Sequence, residues 1–251
     1  MAPRDILHQI SGDLRLALGL LTRLPLPGQP DMARGAASAW AWPLAGLATA
    51  LLAGLAIWLS SGLGAGLSAA LALAVMAMVT GAMHEDGLAD TADGLWGGWT
   101  AERRLEIMKD SHIGTYGVLA LVLSALARWS LLAGLIAAGH ALPALLAAAM
   151  LSRVPMVALM AWMPPAREGG LSRAVGRPGL RTAGIGGAVA LLLSMALCGG
   201  VAIWAALAAL VVAAGLGGVA QAKIGGQTGD ILGASQQLAE IAALAILVAA
   251  L

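Results

Sequence analysis

A chain of 251 residues with 60% apolar side chains, 11% charged ones and a net charge of +1 has a membrane composition, not that of a nucleic-acid-binding protein. Its mean hydropathy of +0.87 leaves room for several spans, because a hydrocarbon core of ~30 Å takes ~20 residues per helix. The one cysteine, Cys198, lies in an apolar run, which excludes an internal disulfide and a cysteine-based zinc site.

The N-terminal stretch RDILHQISGDLRLALGLLTRLP carries charges along its length, and PLPGQP follows it instead of a small-residue cleavage site. It does not read as a secretory signal. Ile6, Leu7, Ile10, Leu14, Ala17 and Leu21 recur at helical spacing, which predicts an interfacial helix within a segment 1–37. Seven apolar segments follow, at 38–59, 65–83, 114–138, 143–163, 184–198, 201–221 and 230–251. The fifth is short and weakly separated from the sixth, so six spans with a re-entrant fifth piece is the competing layout. The expected fold is an all-α, polytopic integral membrane helix bundle, with about seven transmembrane helices in a single membrane domain over 1–251.

Lysine and arginine collect on cytoplasmic loops. With the N-terminus inside, twelve of the fourteen fall on inner segments, and Arg128 and Arg153 lie within spans. Segments 84–113, 164–183 and 222–229 then share the cytoplasmic side. Trp40, Trp42, Trp58, Trp162 and Trp204 fall near span ends, as interfacial tryptophans do. The stretch AERRLEIMKD, with Ala101, Leu105 and Met108 on one side, reads as a helix along the membrane surface.

Against this background HEDGLADTADG, residues 84–94, is anomalous, since it holds four of the chain's acids. Asp86, Asp90 and Asp93, spaced i, i+4, i+7, fall within an arc of about 60° on one helical face. Carboxylates so placed repel one another unless a cation sits between them, and hard oxygen donors suit Mg²⁺. Glu85 points away from that face. Residues 223–233, KIGGQTGDILG, combine a glycine-rich turn containing Gly226, the hydroxyl of Thr228 and the carboxylate of Asp230 at the mouth of the last span. Such a turn attracts phosphate. Arg167, Arg173 and Arg177 can clamp a diphosphate from the same side. MKDSHIGTYG adds Lys109, Asp110, Ser111 and Thr115. The four histidines show no metal-ligand spacing, and neither a Ser–His–acid triad nor a GxxxxGK[ST] loop is present. In the spans, Arg153 and Glu240 each lie about 15 Å from the inner end and are expected to pair, with Arg128, about 21 Å in, too deep to match as well.

The ordered set LTRLPLP at 21–27, HEDGLADTADG, RLEIMKDSHIGTYG, SRVPMV at 152–157, PPAREGGLSRA at 164–174 and GGQTGDILG at 225–233 resembles the membrane-bound cobalamin synthases. That resemblance implies a Mg²⁺-dependent transferase of a prokaryotic cytoplasmic (inner) membrane. It would join adenosylcobinamide-GDP to α-ribazole or its 5′-phosphate and release GMP. It further implies functional weight for Asp86, Asp90, Asp93 and Asp230; on the chemistry of the cluster, Asp86, Asp90 and Asp93 are the expected metal ligands, and Asp93, with Asp230 as its rival, is the expected carboxylate that takes the hydroxyl proton. Lys109, Ser111, Arg167, Arg173, Gly226 and Thr228 are the expected substrate contacts. The expected partners are these substrates and the lipid bilayer, without nucleic acid; the oligomeric state stays open, a homo-oligomer included.

Two other classes compete. CDP-alcohol phosphotransferases and intramembrane prenyltransferases also use aspartate clusters and Mg²⁺, but the former require D-x2-D-G-x2-A-R and this chain has D-x3-D-x2-D-G. A small-molecule transporter would account for Arg128, Arg153, Glu240 and Pro155 inside the spans.

Overall fold

The computed structural model describes residues 3–27 and 32–251. The expected interfacial segment and its PLPGQP turn therefore lie partly outside the described residues, at 1–2 and 28–31. Helix α1 (Pro3–Leu21) divides along its length. Ile6, Leu7 and Ile10 are exposed, whereas Leu16, Ala17 and Leu21 are buried against the bundle. Asp13 explains the docking of the second half. Its carboxylate accepts from Arg34 Nε at 2.7 Å and Nη2 at 2.9 Å, and from Trp40 Nε1 at 2.9 Å. This joins α1 to the turn that leads into α2 (Trp42–Leu59). The interfacial expectation suits only the outward-facing first half.

Six helical segments among the described residues are long and apolar enough to cross a membrane. They are α2 with its lead-in from Ala36, α6 (Thr115–Ala137), the consecutive α7 (Ala141–Leu151) and α8 (Val154–Trp162), α10 (Leu180–Cys198), α11 (Val201–Ile224) and α12 (Gly229–Ala249). A seventh exists only as a bent pair, α3 (Ala65–Thr80) and α4 (Met83–Gly97), with 88° between them. The broken element is thus the second apolar segment and not the fifth. The fifth starts at Leu180, earlier than its apolar run suggests, and its 19 residues reach about 28 Å.

The α3–α4 elbow is built from backbone. Gly81 (φ +65°) and Ala82 (φ +55°) both take the left-handed conformation, and the Ala82 N–H reaches back to the Ala77 carbonyl at 2.7 Å. This bond closes α3 as a Schellman motif does. Residues 84–97, expected on a cytoplasmic segment with the three aspartates on one helical face, do form a helix, but it is packed between α12 and α6 instead of lying free in a loop. The short α5 (Ala101–Ile107) folds back on it, with Met108 buried against Gly94, so it is not simply a surface-lying helix.

Helices α7, α8 and α12 occupy the middle, while α10, α11 and α6 turn most of their surface outward, as lipid-facing helices do. Trp58, Trp162 and Trp204 face outward, but Trp42 is buried and Trp40 is spent on Asp13. Two apolar clusters form the core. One, around Leu21, Met156, Met160 and Ile231, lies toward α4, and the other, around Leu132, Leu145 and Leu244, lies toward the far end.

Between the two clusters sits a charged layer. Arg128 of α6 forks onto Glu240 Oε1, with Nη2 at 2.8 Å and Nε at 3.0 Å, and its Nη1 meets Glu85 Oε1 at 2.9 Å. Arg153 Nη1, at the α7–α8 break, lies 3.6 Å from Glu240 Oε2. Gln236 donates to Glu240 at 2.6 Å and Gln237 to Glu85 at 3.1 Å. The expected Arg153–Glu240 pair is present, but excluding Arg128 from it was wrong. A depth offset of about 6 Å between helix backbones is within the reach of an arginine side chain. Glu85 belongs to this layer, pointing away from the aspartate face.

Removing one member of a buried ion pair strands the other, at a cost of about 3–5 kcal/mol. We expect Glu240→Gln to lower the thermal midpoint in detergent strongly. Arg128→Gln should do more harm than Arg153→Gln, because it makes the shorter bridges. Combining Arg128→Gln with Glu240→Gln should restore part of the loss. Equal midpoints for the two arginine variants would contradict the unequal geometry.

Candidate active site

The site begins where α4 crosses α12. A Cβ at Gly87 would stand 2.9 Å from the Asp230 carbonyl oxygen and 3.2 Å from the Cα of Gly233. Any side chain there would push the two backbones apart, so glycine is what permits the contact. Asp86 and Asp90, flanking Gly87 on α4, are thereby brought to Asp230 at the start of α12. Asp90 lies in the field of Asp86, Asp93 and Asp230, and Asp230 in that of Asp86.

Asp230 is held from its other side by an interlocked pair of loops. Gln227 N–H donates to the Pro164 carbonyl at 2.9 Å, and Ala166 N–H donates to the Gln227 carbonyl at 2.8 Å. These bonds form a parallel bridge between Pro165 and Gln227. Gly226 is buried with its Cα against the Pro164 carbonyl, so its place is set by packing. Thr228 caps α12, its hydroxyl accepting the Ile231 N–H at 3.3 Å and donating to Asp230 Oδ2 at 3.1 Å. The zipped loops carry Arg167 to Asp230, with Nη1 to Oδ2 at 3.2 Å. That nitrogen is buried, and the ion pair to Asp230 is its one close polar contact, short of ideal hydrogen-bond alignment. Arg173 is exposed on α9 (Leu171–Val175). Arg177 is committed elsewhere, closing α8 by donating to the carbonyls of Ala161 and Trp162, both at 2.8 Å.

A cavity of about 510 Å³ opens beside α4. Glu85, Asp86 and Asp90 line one wall, and Lys109, Asp110, Ser111, His112 and Ile113 line the other. The structure thus brings Asp86 and Asp90 onto the same cavity as Lys109 and Ser111. Its segments 84–113, 164–183 and 222–229 also meet at one end, where Lys223 Nζ donates to the Leu95 carbonyl at 2.7 Å and Arg104 Nη1 to the Lys223 carbonyl at 3.1 Å.

Asp93 is placed differently from its helical neighbours. It is 8% exposed, and its two oxygens accept the N–H groups of Gly114 at 2.7 Å and Gly117 at 2.9 Å. These are first-turn donors of α6, which makes Asp93 a capping group reaching in from another helix.

Sequence reasoning overlooked the Asp110–His112 pair. Nδ1 of His112 lies 2.7 Å from Asp110 Oδ1, and the His112 backbone N–H reaches the same oxygen at 3.1 Å. That bond holds the imidazole pKa above, and the carboxyl pKa below, its ordinary value. The D-x-H spacing was the available signal, but a search for triads and metal spacing passes over it.

The sequence matches the cobalamin-5-phosphate synthase family over residues 13–248. Among curated proteins it is 46% identical to an adenosylcobinamide-GDP ribazoletransferase of Bradyrhizobium diazoefficiens, covering 96% of this chain and 95% of the other. It is 43% identical to the enzyme of the same name from Mesorhizobium japonicum, covering 98% and 95%, and 46% identical to that of Brucella ovis, covering 96% and 97%. No solved structure matches. Similarity at this level, spanning every element of the bundle and of the acidic site, means that the chain belongs to the cobalamin-5-phosphate synthase family.

Proposed function

We propose that this membrane protein is an adenosylcobinamide-GDP ribazoletransferase that joins adenosylcobinamide-GDP to α-ribazole or its 5′-phosphate with release of GMP. The observation that carries this is the convergence of Asp86 and Asp90 with Asp230 and Arg167 beside a cavity that also presents Lys109 and Ser111. At about 510 Å³ the cavity suits a nucleotide or a ribazole, whereas a corrin ring with its substituents must stay outside. The direct test is GMP release from adenosylcobinamide-GDP by purified protein in detergent, with and without the ribazole acceptor. The transporter alternative loses its footing, because Arg128, Arg153 and Glu240 neutralise one another with Glu85.

The donor set suits Mg²⁺, being anionic and made of oxygen. Among the described residues no three His, Cys, Asp or Glu side chains converge closely enough to hold an ion by themselves. That is compatible with a cation that takes two carboxylates and completes its shell with water and substrate phosphate. In this proposal Asp86 and Asp90 would hold the ion near Asp230, and Asp93 positions α6. When bound, the ion supplies charge neutralisation for the diphosphate as GMP departs. Arg167, held beside Asp230, offers its guanidinium to a phosphate oxygen, and Lys109 and Ser111 contact the substrate from the opposite wall. Arg173 remains a candidate contact at the rim, while Gly226 and Thr228 act by shaping the turn that carries Asp230.

In orientation, we place the protein in the cytoplasmic membrane of a prokaryote with the site facing the cytosol, on the distribution of lysine and arginine.

Asp90→Asn keeps side-chain shape and removes charge. It should cut turnover by at least ~100-fold with little change in thermal midpoint. Asp93→Asn has one fewer acceptor for the α6 amides, so its midpoint should fall, by about 0.5–2 kcal/mol of stability on the scale of a lost cap. A comparison of midpoint and turnover for both variants checks this division, and a reversal of the two patterns would refute it. Orientation is checked by thiol labelling in a Cys198→Ser background. Cysteines at Arg103 or Glu168 should react only after the membrane is opened, and labelling of either in intact cells would overturn the topology.

A further inference from the structure

The loop between α5 and α6 contributes Asp110 and His112 to the cavity that holds Asp86 and Asp90. An imidazole that donates from Nδ1 to a carboxylate keeps Nε2 as its acceptor. His112 lines this cavity and its side chain is 89% exposed, so the ring edge is open to solvent at the site. The carboxylates expected to accept a proton are both engaged. Asp93 accepts two amides, and Asp230 is tied to Arg167 and Thr228.

Resting on the transferase reading, we propose that His112, oriented by Asp110, is the catalytic base that deprotonates the attacking ribose hydroxyl of the ribazole. Nε2 takes the hydroxyl proton as the oxygen's electron pair forms a bond to the phosphorus next to the aminopropanol arm. The bond from that phosphorus to the bridging diphosphate oxygen breaks, and its electron pair leaves on the phosphate of GMP. The imidazolium then returns its proton to solvent at the open edge of the cavity. Asp110 is a positioning residue, since it fixes the ring and stabilises the charge the ring acquires.

The charged groups around the ring are Asp110 and Lys109 on its own loop, Arg103 on α5, and Glu85, Asp86 and Asp90 on the facing α4. From α6 the cavity receives Leu121, which is uncharged. The dominant influence is the hydrogen bond that the ring donates to Asp110, which raises the proton affinity of the ring. The active species is neutral imidazole, so activity should be present at alkaline pH. It should be lost as pH falls through a value above that of an ordinary histidine.

The experiment measures GMP release over a range of pH for wild type, His112→Ala, His112→Gln and Asp110→Asn in detergent, all with both substrates. For His112→Ala we expect a fall in kcat of about 100-fold or more at little change in KM, with the acid limb of the profile gone. Added imidazole should restore part of that rate through the open cavity, and His112→Gln, which cannot take a proton, should be as slow as His112→Ala. Asp110→Asn should keep the limb but move it to lower pH. The proposal falls if His112→Ala stays within about threefold of wild type, or if it raises KM alone without rescue by imidazole. Wild-type turnover in the same assay separates the two claims. An active wild type with an unaffected His112→Ala sinks only the base, whereas a wild type that releases no GMP sinks the transferase reading and the base with it.

Discussion

Ionised groups inside an apolar bundle persist only if they neutralise and hydrogen-bond one another. Arg128, Arg153, Glu85 and Glu240 do so with the help of Gln236 and Gln237, and they come from α6, the α7–α8 break, α4 and α12. Apolar helices in lipid have little to choose between packing registers, because lipid tails are as apolar as leucine. A layer with strict partner requirements removes that freedom. The small residues around it, such as Ala147, Ala148, Ala149 and Ala243, let the helices come close enough for these side chains to meet.

This layer has a consequence for the site. Glu85 and Asp86 are adjacent on α4 and both border the cavity, while Glu85 also reaches into the charged layer to Arg128. Fixing the first therefore fixes the second. From there the contact of Gly87 with Gly233 sets the spacing between α4 and α12, and the interlocked Pro164–Gln227 loops present Arg167 to Asp230. The aspartates of the cluster thus have two mechanical origins. Asp86 and Asp90 ride on a helix anchored at its start by ion pairs and near its end by Asp93, while Asp230 belongs to a capped helix terminus.

The arrangement also suits a substrate too large to enter a closed pocket. The cavity at one end of the bundle is open and lined by charged side chains. Carboxylates there repel one another without a cation, whereas those in the charged layer are already balanced by arginines. The two acidic groups sit close together and have opposite duties, one to hold the bundle and one to stay available.

Apolar length, helical periodicity and basic-residue placement are local properties, and from them the sequence alone determined the membrane class, six of the seven spans and the gathering of three polar segments at one end. It also marked Asp86 and Asp90, because i, i+4 spacing on a helix needs no partner to interpret, and the ordered motifs of the full chain marked the family. What only the tertiary structure decided depends on neighbours far apart in the chain. Residues 84–97 look too polar for a buried helix, yet they form one because Glu85 finds Arg128 and Gln237, and Asp93 finds the α6 amides. The same spacing that put Asp93 on the aspartate face could not reveal that Gly114 and Gly117 would claim both its oxygens. Nor could counting along single helices show that Arg128 reaches Glu240, since reach depends on how two helices lie against each other and not on the position of either residue within its own span.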